Sequence, residues 1–302
     1  MKRIFIGGLG RSGTTITLSA LYHHHEVLAF PVETKFLVEE DGFAAVIDAL
    51  TCNFSVAWAM AAVDRFETLM RRQVTGLDDS KFKHQEVLPI IKFTNYEEAL
   101  NEFTQLIRAR SYFDDPAPLL AATRKFVDQT FDDAARRENY GAWVEKTPSN
   151  IWRIDLLRTL WPDCYIVHCI RDPRDIMLSL LERRWLPTNI VQALTIFESH
   201  LAALIKVRRI HMNNPKWLEL RLEDLVEHTE PTLAKLAEFV GLAPYHNEKV
   251  ASVSGLMNAY YEKKGPSSIH LTPENRDLIV SWLRPAVVEL GYPATWGAVS
   301  EP

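Results

Sequence analysis

The residues Gly8-Leu9-Gly10-Arg11-Ser12-Gly13-Thr14-Thr15 fit the frame G-x-x-x-x-G followed by two hydroxyl residues. In such a frame backbone N–H groups and the start of the next helix cradle a phosphate. The lysine that reaches the outer phosphates in nucleotide hydrolases is replaced here by Thr14, so the frame is kept and Arg11 is its only cation. Gly8, Gly10 and Gly13 also satisfy G-x-G-x-x-G, a dinucleotide fingerprint, although no carboxylate follows in the usual ribose position; Glu33 stands between Pro31-Val32 and Thr34-Lys35. An anion loop, a dinucleotide loop and a tight turn without ligand are therefore the three readings. Two later segments also carry charge in short runs, Glu145-Lys146-Thr147-Pro148 and Arg171-Asp172-Pro173-Arg174-Asp175 with Ser179 beyond it. Arginine offers a planar fork to phosphate and serine a hydroxyl donor. Arg171 and Ser179 are eight residues apart, about two helical turns, so spacing alone does not bring them together.

The elements that must position these residues can be read from apolar periodicity. Arg3 to Ile6 is a short strand into the glycine loop, and Ile16, Leu18 and Leu21 mark the helix after it. Val27 to Phe30 is a second buried strand, which puts Glu33 just past its end. Trp143 and Val144 lead as a strand into Lys146, and Ile151 to Leu160 is a helix stopped at Trp161-Pro162. Cys164 to Ile170 is the clearest buried strand and runs into Arg171. Asp172 can cap the next helix and Pro173 suits its first position, with the helix running through Leu181. Ile190 to Arg209 is a long helix, Trp217 to Leu220 a strand, and Thr229 to Phe239 a helix that Gly241 closes. Tyr260 to His270 is expected to be a charged loop, followed by a helix from Pro273 through Leu290. Strands alternating with helices predict an α/β fold with a parallel sheet of the P-loop type flanked by helices. A helical insertion covers about 43–140, all within a single domain spanning 1–302.

At 302 residues the chain can bury a large core, and 47% hydrophobic with 24% charged residues excludes a disordered or fibrous protein. The formal charge of −5 gives no global case for a nucleic-acid or anionic-membrane partner, so any anion site must be local. Cys52, Cys164 and Cys169 match no metal or disulfide ladder and read as reduced packing residues. No signal-peptide core and no window of about 18 apolar residues is apparent, so a cytoplasmic protein without a membrane span is expected. The triplet His23-His24-His25 is expected to end the first helix rather than to hold a metal. A homodimer is possible, because an amphipathic helix can face a core or a partner.

The glycine loop resembles the 5′-phosphosulfate loop of sulfotransferases that use 3′-phosphoadenosine 5′-phosphosulfate (PAPS). Ile166 to Asp175 with Ser179 resembles the same family's 3′-phosphate motif, and Glu145-Lys146-Thr147-Pro148 resembles the segment that precedes it in the carbohydrate and tyrosylprotein branches. Leu222-Glu223-Asp224-Leu225 follows in the matching order. The resemblance covers about 3–40 and 142–242 and suggests a soluble, bacterial-type member.

What the resemblance implies can be stated residue by residue. Arg11, Ser12, Gly13, Thr14 and Thr15 would hold the 5′ end of PAPS, Arg171 and Ser179 its 3′-phosphate, and Lys263 and Lys264 a further nucleotide contact, with Ser267 and Ser268 nearby. Lys146 and Arg11 would meet the bridging oxygen between phosphate and sulfate, and Glu33, 22 residues beyond Arg11, would be the general base. The alternative for Lys146 is a surface ion pair with Glu145, for Glu33 a pair with Lys35, and for Arg171 a pair with Asp172 or Asp175. Arg174 either faces phosphate or caps its helix. The implied reaction moves a sulfuryl group to a hydroxyl acceptor, a carbohydrate, a tyrosine or phenol, or a small alcohol, and releases 3′-phosphoadenosine 5′-phosphate (PAP). No metal is implied, since the Walker-B carboxylate has no counterpart at Cys169-Ile170. Trp58, Arg65, Arg71, Arg72, Tyr96 and Tyr112 are candidates for the acceptor cleft. A P-loop kinase and a non-catalytic nucleotide-binding relative are the competing readings.

Overall fold

A computed structural model describes residues 1–30, 33–38, 40–51, 55–75, 94–109, 115–264 and 271–296, with the backbone alone at 72–75, 109 and 260–264. Five parallel strands, β1 (Lys2–Gly8), β2 (Val27–Ala29), β3 (Ala142–Lys146), β4 (Tyr165–Ile170) and β5 (Trp217–Arg221), lie in the order β2-β3-β1-β4-β5. Helices flank them, as the alternating pattern predicts. The described residues fall into two compact units, one of Met1–Ile6 with His24–Ile166, the other of Gly7–His23 with the residues from Val167 on.

In the first unit β3 pairs with β1 from Lys2↔Ala142 to Ile6↔Lys146 and with β2 from Val27↔Ala142 to Ala29↔Val144. These strands are buried on both faces, which is why they read as continuous apolar runs rather than alternating ones. The insertion is helical as expected, comprising α2 (Phe43–Thr51), α3 (Val56–Thr75), α4 (Tyr96–Ala109), α5 (Ala117–Val127) and α6 (Asp133–Arg137). It has an aromatic core of its own: the Phe43 ring lies 4.8 Å from both Phe66 and Phe103, and Phe36 stacks on Phe131 at 4.5 Å. Each such ring contributes roughly 1.5–3 kcal/mol relative to exposure. Between α5 and α6 a π-helical turn, Asp128–Asp132, delivers the buried Asp132 to the sheet. There it accepts from Trp143 Nε1 at 2.7 Å and from Arg3 Nη2 at 2.6 Å, tying the insertion to β3 and β1.

The second unit holds α1 (Thr14–Tyr22), α8 (Pro173–Glu182), α9 (Ile190–His211), α10 (Leu222–Glu227), α11 (Thr229–Val240), α12 (Asn247–Lys264) and α13 (Pro273–Glu289), while α7 (Ile154–Leu160) belongs to the first. Gly241 closes α11 in a left-handed conformation, as its sequence position suggested. Two expectations need correction. The segment 260–264 is not loop, because α12 continues to Lys264. And Ile190–His211 does reach the length and apolar composition of a bilayer span. In the fold it buries one face, with Ala193, Leu194, Phe197, Leu201 and Leu204, and its Glu198 accepts from Trp282 Nε1 of α13 at 2.9 Å.

Glu219 on β5 accepts from Arg208 Nε of α9 at 2.6 Å and lies 3.5 Å from Nδ1 of the fully buried His168 on β4. Burial alone would raise the Glu219 carboxyl, yet the contacts with His168 and Arg208 outweigh it and hold the group at about 2. Burial pushes the His168 imidazole below its ordinary value.

These contacts predict two stability effects. Asp132→Ala leaves Trp143 Nε1 without its acceptor and Arg3 with Asp128 as its remaining carboxylate, and should lower the unfolding free energy in urea by about 3 kcal/mol. The depressed Glu219 value means a contribution present above the ordinary carboxylate range and lost as pH falls. The stability gap between the wild type and Glu219→Gln should therefore narrow from about pH 5 down to about pH 2; a gap constant over that range would show that the pair is not worth its geometry.

Candidate active site

The glycine loop is shaped by two places where no side chain fits. A Cβ on Gly8 would lie 2.5 Å from the Cys169 carbonyl oxygen, so β1 approaches the end of β4 only through a glycine. Gly13 has φ 97°, and a Cβ there would lie 2.8 Å from Leu222 Cδ1, which places the Leu222 motif directly against the loop. Between them Ser12 N donates to Leu9 O at 3.1 Å, and α1 begins at Thr14, whose first amides have no partner inside the helix. Ser12 is buried and its Oγ has no hydrogen-bond partner among the described residues. Arg11 sits at φ 74°, a strained backbone for a side chain of its size.

That conformation aims Arg11 at α8. Arg11 Nε donates to Ser179 Oγ at 2.9 Å, and Arg171 Nη1 donates to the Arg11 carbonyl at 3.3 Å. Arg171 and Ser179 thus both contact Arg11, the one at its carbonyl and the other at its Nε. Trp185, more than half exposed after α8, lies with its ring 6.0 Å from the Arg11 guanidinium. Nothing in the local sequence marks Trp185 except its place one turn past the helix. Asp172 caps α8 by accepting from Arg174 N at 2.9 Å, as predicted.

Arg174 does not face the loop. It is buried, its guanidinium holds both Asp172 oxygens at 2.9 and 2.7 Å, and it donates to the Pro293 and Ala294 carbonyls, so it fastens the C-terminal segment. Arg171 pairs with neither Asp172 nor Asp175 by hydrogen bond. Instead the backbone N–H of Asp172 donates to Glu223 Oε1 at 3.1 Å, and Tyr292 OH donates to Glu223 Oε2 at 3.0 Å. Glu223 of the downstream motif therefore holds the turn that carries Arg171, and burial raises its carboxyl.

In the first unit the two predicted chemical residues meet each other. Lys146 Nζ, at the end of β3, donates to Glu33 Oε1 at 2.7 Å. Neither sequence alternative is realised: Lys146 does not pair with Glu145, nor Glu33 with Lys35. The lysine side chain is 6% exposed and the glutamate 37%, so the carboxylate faces outward from a cation seated in the sheet end. Beneath them Glu145 is fully buried and accepts from Thr34 Oγ1 at 2.8 Å, from Thr147 Oγ1, and from Asn150 Nδ2 at 2.7 Å. Burial raises the Glu145 carboxyl despite those three donors and the adjacent Lys146. Sequence reading treated Glu145 only as a surface partner. Its burial was not legible because strand alternation is suppressed where both faces are covered.

The remaining candidates separate cleanly. Lys263 and Lys264 lie in the last turn of α12, while Ser267, Ser268 and Tyr112 lie outside the described residues, as do the side chain of Arg72 and Cys52. Tyr96 is core rather than cleft, buried with its hydroxyl on the Met70 carbonyl at 2.8 Å. Arg71 is held by Glu67 and Glu97, and Arg65 by Asp41. Trp58 remains exposed. His23 caps α1, His24 is buried with its Nδ1 accepting from Glu26 N, and His25 stacks on it at 4.8 Å. Cys164 and Cys169 are free and buried, as expected of packing residues.

Comparison with known proteins bears on the family and the fold. No curated protein matches the chain. Among solved structures it is similar to the sulfotransferase STF9 from Mycobacterium avium, at 12% identity over 97% of this chain and 77% of that one with a TM-score of 0.50, which supports the fold. A sulfotransferase from Alicyclobacillus acidocaldarius matches at 13% identity over 96% and 94% of the two chains with a TM-score of 0.46. Retinol dehydratase, crystallised with androsterone and the inactive cofactor PAP, matches at 14% over 95% and 81% with a TM-score of 0.40. The sequence model of the sulfotransferase family matches residues 3–247, from the first strand through both arginine elements, and the chain belongs to that family.

Proposed function

We propose that this enzyme transfers a sulfuryl group from PAPS to a hydroxyl-bearing acceptor and releases PAP. The observation that carries the reading is the convergence of Arg11, Arg171 and Ser179, which joins the glycine loop to the helix after β4. A nucleotide with anionic groups at both its 5′ and 3′ ends needs two adjacent anion sites, and ATP needs only one of them. The residues present fit such a donor: the buried Ser12 Oγ has no hydrogen-bond partner among the described residues, Gly8 leaves room for backbone but not for a side chain, and Arg11 bonds the Ser179 hydroxyl while Arg171 bonds the Arg11 carbonyl.

PAPS supplies a sulfuryl group activated by a phosphate leaving group. The roles of the chain follow from its chemistry. Ser12, Thr14, Thr15 and the amides from Gly13 onward hold the 5′ end, while Arg171 and Ser179 take the 3′-phosphate, with Arg11 released from Ser179 to the transferred group. Lys146 gives up Glu33 and donates to the bridging oxygen, where negative charge grows as the sulfur–oxygen bond breaks. Glu33 Oε2, which has no donor among the described residues, accepts the proton of the attacking hydroxyl. The acceptor oxygen forms the new bond to sulfur, the bridging oxygen leaves with PAP, and the proton stays on Glu33.

Two outcomes test these roles. Ser179→Ala should weaken PAP binding about tenfold and Arg171→Met about a hundredfold in calorimetry, corresponding to about 1.4 and 2.8 kcal/mol; unchanged affinity in both would remove the 3′-phosphate site. Glu33→Gln should lower kcat by about 10²–10⁴-fold in an assay that follows PAP release with phenols and sugars as acceptors, and leave PAP affinity within about threefold. Equal loss of binding and turnover would make Glu33 a structural carboxylate.

A further inference from the structure

We infer that Glu145 is a positioning residue that holds the Glu33–Lys146 pair through its neighbours. It rests on the proposed roles of Glu33 and Lys146. The geometry is specific to adjacent residues: Thr34 follows Glu33 in the chain, Thr147 follows Lys146, and both hydroxyls donate to the same oxygen, Glu145 Oε1. The other oxygen, Oε2, accepts from Asn150 Nδ2, which also donates to the Ile6 carbonyl of β1 at 3.0 Å. Thr34, Thr147, Asn150 and Glu145 are all buried, so this carboxylate ties the segment at Thr34 to the stretch from Glu145 to Asn150, and Asn150 ties that stretch to β1.

The segment that carries Glu33 needs such a hold. β2 stops at Ala29 and Phe30 N still donates to the Val144 carbonyl, but among the described residues no ladder bond fixes Glu33 or Thr34. Thr34 is held instead by its side-chain hydrogen bond to Glu145, 111 residues along the chain. Thr34 is buried against Glu145 while Glu33 is partly exposed and bonds Lys146, so tying Thr34 inward leaves Glu33 turned toward Lys146. Lys146 itself is turned from Glu145 by the alternation of side chains along β3. One buried acceptor thus sets the facing direction of both the base and the cation.

The test uses the full-length protein with Thr34→Val, which keeps the shape and removes the hydroxyl, Thr34→Ser, which keeps the hydroxyl, and Glu145→Gln. Two readouts are taken beside thermal unfolding. The first is the rate of Lys146 acylation by an amine-reactive ester, read by mass spectrometry against the other lysines, and it does not depend on any donor. Thr34→Val and Glu145→Gln should raise it at least fivefold, and Thr34→Ser should leave it at the wild-type rate. The second is PAPS turnover, where Thr34→Val should lower kcat about 10–100-fold with KM for PAPS within about threefold and Thr34→Ser should restore it. Wild-type labelling in Thr34→Val, or an equal effect in Thr34→Ser, overturns the inference. A wild-type enzyme that labels as expected but neither binds PAP nor turns over PAPS overturns the donor assignment instead and leaves the positioning role standing.

Discussion

The hydrogen bond from Arg11 Nε to Ser179 Oγ is the interaction on which the second unit is organised. It joins a cation in the loop after β1 to a hydroxyl on the helix after β4, two elements 168 residues apart in the chain. The loop must be glycine at Gly8, because β1 meets the Cys169 carbonyl there, and Arg11 must accept a left-handed backbone to point across. The surrounding ion pairs serve this arrangement. Arg174 and Asp172 close on each other and on the C-terminal segment, and Glu223 grips the backbone of the turn, so Arg171 is left as the arginine of its run that reaches the loop.

The first unit solves a different problem, that of presenting a carboxylate and an ammonium to each other at the end of a sheet. Exposed ion pairs contribute little and wander. Here the lysine is almost covered, the glutamate is partly open, and a second, fully buried carboxylate fixes the backbone beneath them. The charged pair can then open toward substrate without its supports moving, since the hydroxyl and amide donors that hold Glu145 belong to residues outside the pair. Electrostatic preorganisation of this kind is what a transfer reaction with little protein covalent chemistry demands.

Much of this was legible in the sequence for physical reasons. Short continuous apolar runs such as Cys164 to Ile170, rich in β-branched residues and ended by turn signals, favour buried strands, and Asp172-Pro173 and Gly241 are end signals that act locally. Arg11, Glu33, Lys146, Arg171 and Ser179 stand out by residue type and motif order. Their partners do not. Lys146 chose Glu33, 113 residues away, over its own neighbour Glu145, because strand alternation sends adjacent residues to opposite sides. Tyr96 looked like a cleft residue and is core, since an aromatic at helical spacing carries no mark of which face is covered. The run from Tyr260 read as loop because it is charged, but charge alone does not end a helix, and α12 continues to Lys264.

The proposed function depends on two anion sites in this chain for one nucleotide. Calorimetric titration with PAP, beside ATP, ADP and NAD and each with and without magnesium, tests it most directly. Tight binding of PAP that is indifferent to magnesium is expected, and weak binding of ADP, whose 5′-diphosphate matches the phosphosulfate end of PAPS but which lacks the 3′-phosphate. Equal affinity for ADP and PAP, or binding of magnesium-ATP alone, would contradict it.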